Sequence, residues 1–257
     1  MSISIKNLIL DAWNFFVNQI INIIFFSTIS AIISSLINYI FLPNRDELFT
    51  LANLISDFNG SINNINYLFQ KMSIEQKYIL FKLSLSNHLS SLVGNAFLFS
   101  NIITMINTIC DKKRFFNIFN NIILSSSLIP KFLTLIFLIS FLTQCGMALM
   151  LIPGIIVLIF LSFSPILITK KNISITDSIK ISVNITFKNI KTVAPIIFLW
   201  LLIKLIILVI SSQISINGFL SSVKIFFYLI NNIITVYIII YMYRLYLLSK
   251  IKKNKYL

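Results

Sequence analysis

The fold of this chain is decided by residues 131–170, KFLTLIFLISFLTQCGMALMLIPGIIVLIFLSFSPILITK, in which 38 consecutive uncharged residues separate Lys131 from Lys170. Two helices of about 20 residues, each rising about 1.5 Å per residue, would each cross a hydrocarbon core of about 30 Å. Pro153-Gly154 lies near the middle of the run. Since proline and glycine interrupt helices and favour turns, we expect the chain to fold back at this dipeptide.

Two further uncharged runs also indicate helices that cross a membrane. One covers 33 residues from Ala12 to Asn44, and the other covers 28 residues from Leu83 to Cys110. The whole chain is 58% hydrophobic, with a mean hydropathy of +0.94, whereas soluble domains contain about 45–50% apolar residues. The sequence therefore predicts an all-α integral membrane protein with several spans.

About six transmembrane helices fit the hydropathy, within a single integral-membrane domain that covers residues 1–257. The predicted spans are 20–42, 88–110, 131–152, 154–170, 193–213 and 223–246. The fourth is short, and Ser164-Pro165 within it predicts a kink. Residues 131–170 could therefore form one span and a re-entrant segment instead of two spans, and the sequence leaves both arrangements open.

The basic residues predict the orientation in the membrane. Lys and Arg concentrate near the N-terminus, in 111–131, in 170–191 and in the tail after the last span. The loop 43–87 instead balances its basic residues with acidic ones, and we expect it to be external. Short loops rich in Lys and Arg face the cytoplasm, so both termini are predicted there. This rule also accounts for the net charge of +14, so we expect membrane lipids rather than nucleic acid as partners.

Amphipathic helices should lie at the membrane interface. Ser73 and Gln76 have the spacing of a capping box that would open a helix before the second span, and Ser174 and Asp177 have it before residues 175–191. In that later segment, Ile175, Ile179, Val183 and Ile190 would form the apolar face.

The same segment carries the candidate contacts with lipid headgroups, Lys180, Lys188 and Lys191, because basic side chains near a membrane surface attract anionic lipids. Ser178, Ser182 and Thr186 recur every four residues, a row of small side chains that would let another helix approach closely. The alternative is an ordinary cytoplasmic connection that obeys the charge rule.

Lys204 is the charged residue nearest the centre of a predicted span. A Lys at that depth costs about 2.5–3.5 kcal/mol on insertion, which the surrounding apolar residues offset. We expect the side chain to face the bundle interior, because ionisable groups avoid lipid. None of the predicted spans contains Asp or Glu, so its partner must be neutral, and Gln144 in the third span is the best-placed acceptor. Lys204 and Gln144 form the candidate intramembrane polar site.

Sequence motifs for catalysis or cofactor binding are not found in the chain. It lacks the patterns of nucleophile elbows, zinc proteases and phosphate-binding loops, and it contains only five glycines. Cys110 and Cys145 have no neighbouring ligands of a metal site, and His88 would be an interfacial residue at the start of the second span. The sequence predicts no enzyme, no cofactor and no metal site.

Several local strings together resemble the YciC family of bacterial inner-membrane proteins. They are Asn14-Phe15-Phe16, Ser73-x-Glu75-Gln76, Gly94-Asn95-Ala96, Ile152-Pro153-Gly154, Val193-Ala194-Pro195, Trp200-Leu201-Leu202 and Tyr243-Arg244-Leu245-Tyr246. The resemblance covers nearly the whole chain and implies a multi-pass inner-membrane protein without known catalytic residues. We expect a role in envelope or lipid-related membrane maintenance through lipid or partner contacts. The alternative is a small-solute transporter with a polar site around Lys204.

Overall fold

The computed structural model describes residues 5–44, 46–50, 70, 72–110, 116–170, 173–216 and 221–254. Most of the external loop, including 51–69, and the basic cluster at 111–115 lie outside the described residues. Within the described ranges the chain is helical, without strands. The main helices are α1 (Ile5–Asn18), α2 (Ile20–Phe41), α3 (Ile74–Cys110), α4 (Ile118–Ser126), α5 (Ile129–Leu149), α6 (Leu151–Leu161), α7 (Ser164–Leu167), α8 (Ile175–Lys188), α9 (Ile190–Ile216) and α10 (Ser221–Asn254).

Five of these helices, α2, α3, α5, α9 and α10, are long and apolar enough to cross a membrane. They coincide with five of the six predicted spans. The remaining span, 154–170, corresponds to the shorter apolar stretch Leu151–Leu167, which is divided between α6 and α7. The class of fold is therefore a helical membrane protein with several spans.

The second predicted span belongs to a much longer helix. The Ser73 hydroxyl accepts a hydrogen bond from the N–H of Gln76 at 3.2 Å, and the Gln76 side chain accepts one from the N–H of Ser73 at 2.9 Å. These reciprocal bonds confirm the capping box and begin α3 at Ile74. The helix then continues without interruption for 37 residues to Cys110.

The chain reverses direction within 131–170, although not at the expected residues. The turn lies at Met150, whose extended backbone joins α5 to α6, and Pro153 falls inside the first turn of α6, where proline is tolerated. Gly146 and Gly154 face each other so closely that a Cβ on Gly146 would lie 2.9 Å from the Cα of Gly154. The expected kink is confirmed as a full break at Ser162-Phe163, directly before Pro165.

Close packing joins α2 to α3 through small and polar residues. The Ser30 hydroxyl donates to the Gly94 carbonyl at 2.9 Å, and a Cβ at Gly94 would collide with the hydroxyl of Ser34. Asn38 donates to Asn87 at 2.7 Å on the same seam. In lipid, where water does not drive helices together, such close approach and interhelical hydrogen bonding provide the association energy.

Helix α1 and the end of the last span both contribute buried residues to the bundle. Helix α1 packs on α10 through Leu8, Ala12 and Phe16, while Ile5 and Ile9 stay exposed. The tyrosines at 241 and 243, near the end of the last span, are buried between helices. Both belong to the same core as the buried residues of α3.

Candidate functional site

A cavity of about 350 Å³ lies among α3, α5, the broken helix α6–α7, α9 and α10. Its walls are mainly apolar, and Lys204 is the only Lys or Arg among the described residues that line it. The polar side chains in its lining are His88, Ser91, Asn95, Ser140, Thr143, Gln144, Ser162, Lys204 and Thr235, together with the indole of Trp200. The volume falls in the range of about 300–1,000 Å³ that is usual for small-molecule sites.

Lys204 lies one helical turn after Trp200 on α9, so both side chains project from the same face. The Lys204 Nζ sits 4.1 Å from the centroid of the Trp200 ring, a cation–π contact. Such contacts stabilise a cation by about 0.5–2 kcal/mol, depending on how far it is desolvated. The ring therefore holds the ammonium group in place, although it supplies no countercharge.

Gln144 lines the same cavity as Lys204, so the structure brings the two predicted residues of the polar site together. The hydrogen bond of the Gln144 side chain is with His88, whose Nδ1 lies 3.2 Å from Gln144 Nε2. His88, which was expected to be an interfacial residue, also lines the cavity and contacts Gln144. Gln144 spans from α5 to α3 through this contact.

The hydroxyl groups in the walls already use their protons. Ser140, Thr143 and Ser162 donate to carbonyls of their own helices at 2.7–2.9 Å. Thr235 does the same at 2.7 Å. The Trp200 Nε1 is buried and has no acceptor within the described part of the chain. None of the described lining residues is acidic. The cavity consequently offers the Lys204 ammonium group without a carboxylate to receive it.

The polar end of the cavity lies far from the basic side of the bundle. Lys204 is 13 residues beyond Lys191 and seven before Ser211, which corresponds to about 20 Å and about 10 Å along α9. Gln144 is likewise 13 residues beyond Lys131 on α5, again about 20 Å. In a hydrocarbon core of about 30 Å, both side chains fall in the half that is remote from the lysines.

Helix α8 carries the predicted headgroup contacts, and Lys180, Lys188 and Lys191, just beyond its end, are all exposed. Its buried residues are Ser178, Ser182 and Thr186, so the row of small side chains is confirmed as the face that packs against α6 and α7. Of the predicted apolar face, Ile175 and Ile179 are half-buried and Val183 and Ile190 are exposed. The N-cap half of the predicted capping box is confirmed, since the Ser174 hydroxyl accepts from the Asp177 N–H at 3.1 Å, while the Asp177 carboxylate accepts from the same hydroxyl at 2.6 Å.

Ser182 joins α8 to the break between α6 and α7. Its hydroxyl donates to the Phe160 carbonyl at 2.7 Å and accepts from the Phe163 N–H at 3.2 Å. A helix break leaves such backbone groups without intrahelical partners, and burial makes them costly unless they are bonded. One side chain of the basic helix therefore supports the break, whose neighbours Ser162 and Pro165 line the Lys204 cavity.

Trp200 and His88 contact the two predicted site residues, and the sequence-based site did not include them. The four-residue spacing of Trp200 and Lys204 is a usable signal for the first, because it places a ring beside a cation on one helix face. His88 is distant from Gln144 in sequence, and no local pattern predicts their contact. Within the described residues there is no group of three or more His, Cys, Asp or Glu that could hold a metal ion.

Together the long apolar helices and the partly polar cavity between them define a multi-pass helical membrane protein. A family model described as an uncharacterised protein family, UPF0259, matches residues 1–248. The chain is 32% identical to a UPF0259 membrane protein of Sodalis glossinidius over 97% of this chain and 99% of the relative. It is 33% identical to one of Pectobacterium carotovorum over 97% and 100%.

The chain therefore belongs to the UPF0259 family of membrane proteins. No solved structure shows a significant match to it.

Proposed function

We propose that this chain is a protein of the bacterial inner membrane that supports the cell envelope through contacts with lipid or with a membrane partner. In this proposal it has six spans, formed by the five long helices and, as the fourth in chain order, the broken helix α6–α7. Both termini lie in the cytoplasm, and the protein has no enzymatic activity of its own. We also infer that UPF0259 corresponds to the YciC family, because the match and the resemblance both cover nearly the whole chain.

The arrangement of α8 is the observation that carries the proposal. The helix fixes its small polar residues against the bundle and leaves Lys180, Lys188 and Lys191 exposed. Phe187 is 70% exposed beside them, and an apolar ring next to lysines is typical of helices that lie in the headgroup region. Each exposed lysine near an anionic surface contributes about 1 kcal/mol of attraction.

The lipid contact is tested on the full chain. Protein purified in a mild detergent should retain anionic phospholipid in native mass spectra, and replacing Lys180, Lys188 and Lys191 by Gln should reduce the retained fraction. Lys224→Gln is the matched control, because Lys224 is also an exposed lysine but lies in the first turn of α10 and outside α8. Equal retention in the triple variant and the control would refute the role of α8.

The topology is tested with reporter fusions. Fusions after Gly60 and Gly218 should report an external location, whereas fusions after Lys180 and Leu257 should report a cytoplasmic one. An external reporter at Lys180 would contradict the six-span arrangement and with it the position of α8 at an anionic cytoplasmic surface.

A small-solute transporter is the second candidate. Transporters commonly place discontinuous helices and an ionisable residue at a site within the membrane. The break at Ser162-Phe163 lines the cavity that contains Lys204, which supports this alternative. Metabolite profiles of a deletion strain distinguish the two candidates, because a transporter predicts that one solute accumulates or disappears.

A further inference from the structure

We propose that the Lys204 cavity binds an amphiphile with an anionic headgroup, with the headgroup at Lys204 and Trp200 and the first part of an acyl chain along the apolar walls. The inference rests on the proposed lipid-contact function and names a second site for it, separate from the surface of α8. It is carried by three features of the cavity: its unbalanced charge, the N–H donors of Lys204 and its apolar lining.

The charge of Lys204 favours an anion. None of the described residues that line the cavity is acidic, so Lys204 has no acidic partner there. Its contact with Trp200 is with the face of the ring, which carries no net negative charge. Attraction between opposite charges is strong where water is excluded, so an anionic group beside Nζ would provide the compensation that the protein itself does not. A cationic ligand would instead be repelled.

The hydrogen-bond donors of the cavity also favour an anionic ligand. The hydroxyls of Thr143 and Thr235 are committed to carbonyls of their own helices, so the Lys204 ammonium is the strongest donor in the cavity lining. The Lys204 ammonium has three N–H groups and no lone pair. Carboxylate and phosphate oxygens accept several hydrogen bonds, so either headgroup suits the donors at this end of the cavity.

The remaining lining explains why the ligand should be an amphiphile rather than a small polar anion. Leu92, Phe99, Ile136, Ile139 and Leu158 contribute apolar surface. This surface gains free energy when it meets an acyl chain and gains nothing from a hydrated inorganic ion. The site lies about 10 Å inside the end of the α9 span that is remote from the lysines, deeper than the edge of the hydrocarbon core, so the protein itself would have to hold an anionic headgroup there.

Tryptophan fluorescence provides a direct test. The chain contains only Trp13 and Trp200, so Trp13→Phe leaves the cavity ring as the single indole. In the full-length variant in detergent, a brominated fatty acid should quench Trp200 with saturable binding, and unbrominated stearate should reverse the quenching. The methyl ester of the brominated acid should quench weakly. A brominated phosphatidic acid in a parallel titration distinguishes a two-chain phosphate from a single-chain carboxylate.

Charge variants complete the test. Lys204→Met on the Trp13→Phe background should weaken binding of the acid at least about tenfold without changing that of the ester, and Lys204→Arg should retain most of it. Lys224→Met, outside the cavity, is the matched control and should have no effect. Should Lys204→Met fail to fold, competition in the Trp13→Phe variant decides whether the site prefers an anion. Stearate should reverse the quenching of Trp200, and stearyl alcohol, which lacks the charge, should not.

Equal quenching by acid and ester, or no competition by stearate, would overturn the proposed site. Retention of anionic phospholipid at α8 would be unaffected by that result, so the failure of this inference and that of the proposed function are distinguishable.

Discussion

Replacing Ser182 by Ala should destabilise the protein more than any other single Ser→Ala change on α8. The Ser182 hydroxyl is buried and makes two hydrogen bonds across the helix interface, at 2.7 Å to the Phe160 carbonyl and 3.2 Å from the Phe163 N–H. Interhelical hydrogen bonds in membranes contribute about 0.6 kcal/mol on average. A buried group left unsatisfied costs about 1–3 kcal/mol. Thr186, at 3.4 Å from the same carbonyl, can replace one of the two bonds.

The expected loss is therefore about 1–3 kcal/mol, set mainly by the N–H of Phe163. Ser178→Ala is the matched control, because Ser178 is equally buried on the same face but donates only to Ile175 of its own helix. Ser182→Thr keeps the hydroxyl and should restore most of the stability. Thermal unfolding in detergent, followed by tryptophan fluorescence, should show a lower Tm for Ser182→Ala than for Ser178→Ala. Equal Tm values would refute the role of Ser182 at the break.

Three further outcomes are expected. Gly94→Val should prevent α2 from packing on α3, because a Cβ there meets Ser34, and a variant with unchanged Tm would contradict this seam. Lys204→Leu in delipidated protein should leave Tm equal or higher, since it removes an insertion cost of about 2.5–3.5 kcal/mol and loses a cation–π contact of about 0.5–2 kcal/mol. A lower Tm would show that the cation is needed for folding.

The third concerns Glu47, whose pKa lies below its usual 4.5 because the Asn44 N–H donates to its carboxylate and Lys82 lies 3.1 Å away. A depressed pKa means that these contacts stabilise the fold above the ordinary carboxyl pKa and are lost as pH falls. NMR titration of Glu47 should show a midpoint below 4.5 that Lys82→Met raises only in part, and an unchanged midpoint would contradict the contact.

The sequence predicts the architecture well where the signal is local. Uncharged runs indicate five long apolar helices, and the capping boxes at Ser73 and Ser174 mark where α3 and α8 begin. The polar site stays a prediction: Lys204 and Gln144 line the same cavity, but the described hydrogen bond of Gln144 is with His88. The contact of Gln144 with His88 depends on how separate helices pack, which no local spacing encodes.

The faces of the amphipathic helices show the limit of periodicity. On α8 the buried side is the predicted row of Ser178, Ser182 and Thr186, while Val183 and Ile190 of the apolar stripe are exposed. In water the apolar face must turn inward, but at a membrane it can face acyl chains instead. Small polar side chains then gain more by approaching a neighbouring helix. The same reasoning explains why buried Tyr241 donates to the Thr192 carbonyl at 3.3 Å rather than facing lipid headgroups.

The uninterrupted length of α3 has a mechanical consequence. Its 37 residues extend for about 55 Å, nearly twice the thickness of a hydrocarbon core. His88 lies 14 residues, or about 21 Å, from the beginning of α3. A tilt of the N-terminal part of α3 would therefore change the contact between His88 and Gln144. A sideways displacement of about 2 Å at Ile74 corresponds to a tilt of only about 5° over that length. A displacement of the Ile74 end of α3 would therefore reach the cavity wall as a rotation of the whole helix, without any helix having to unwind.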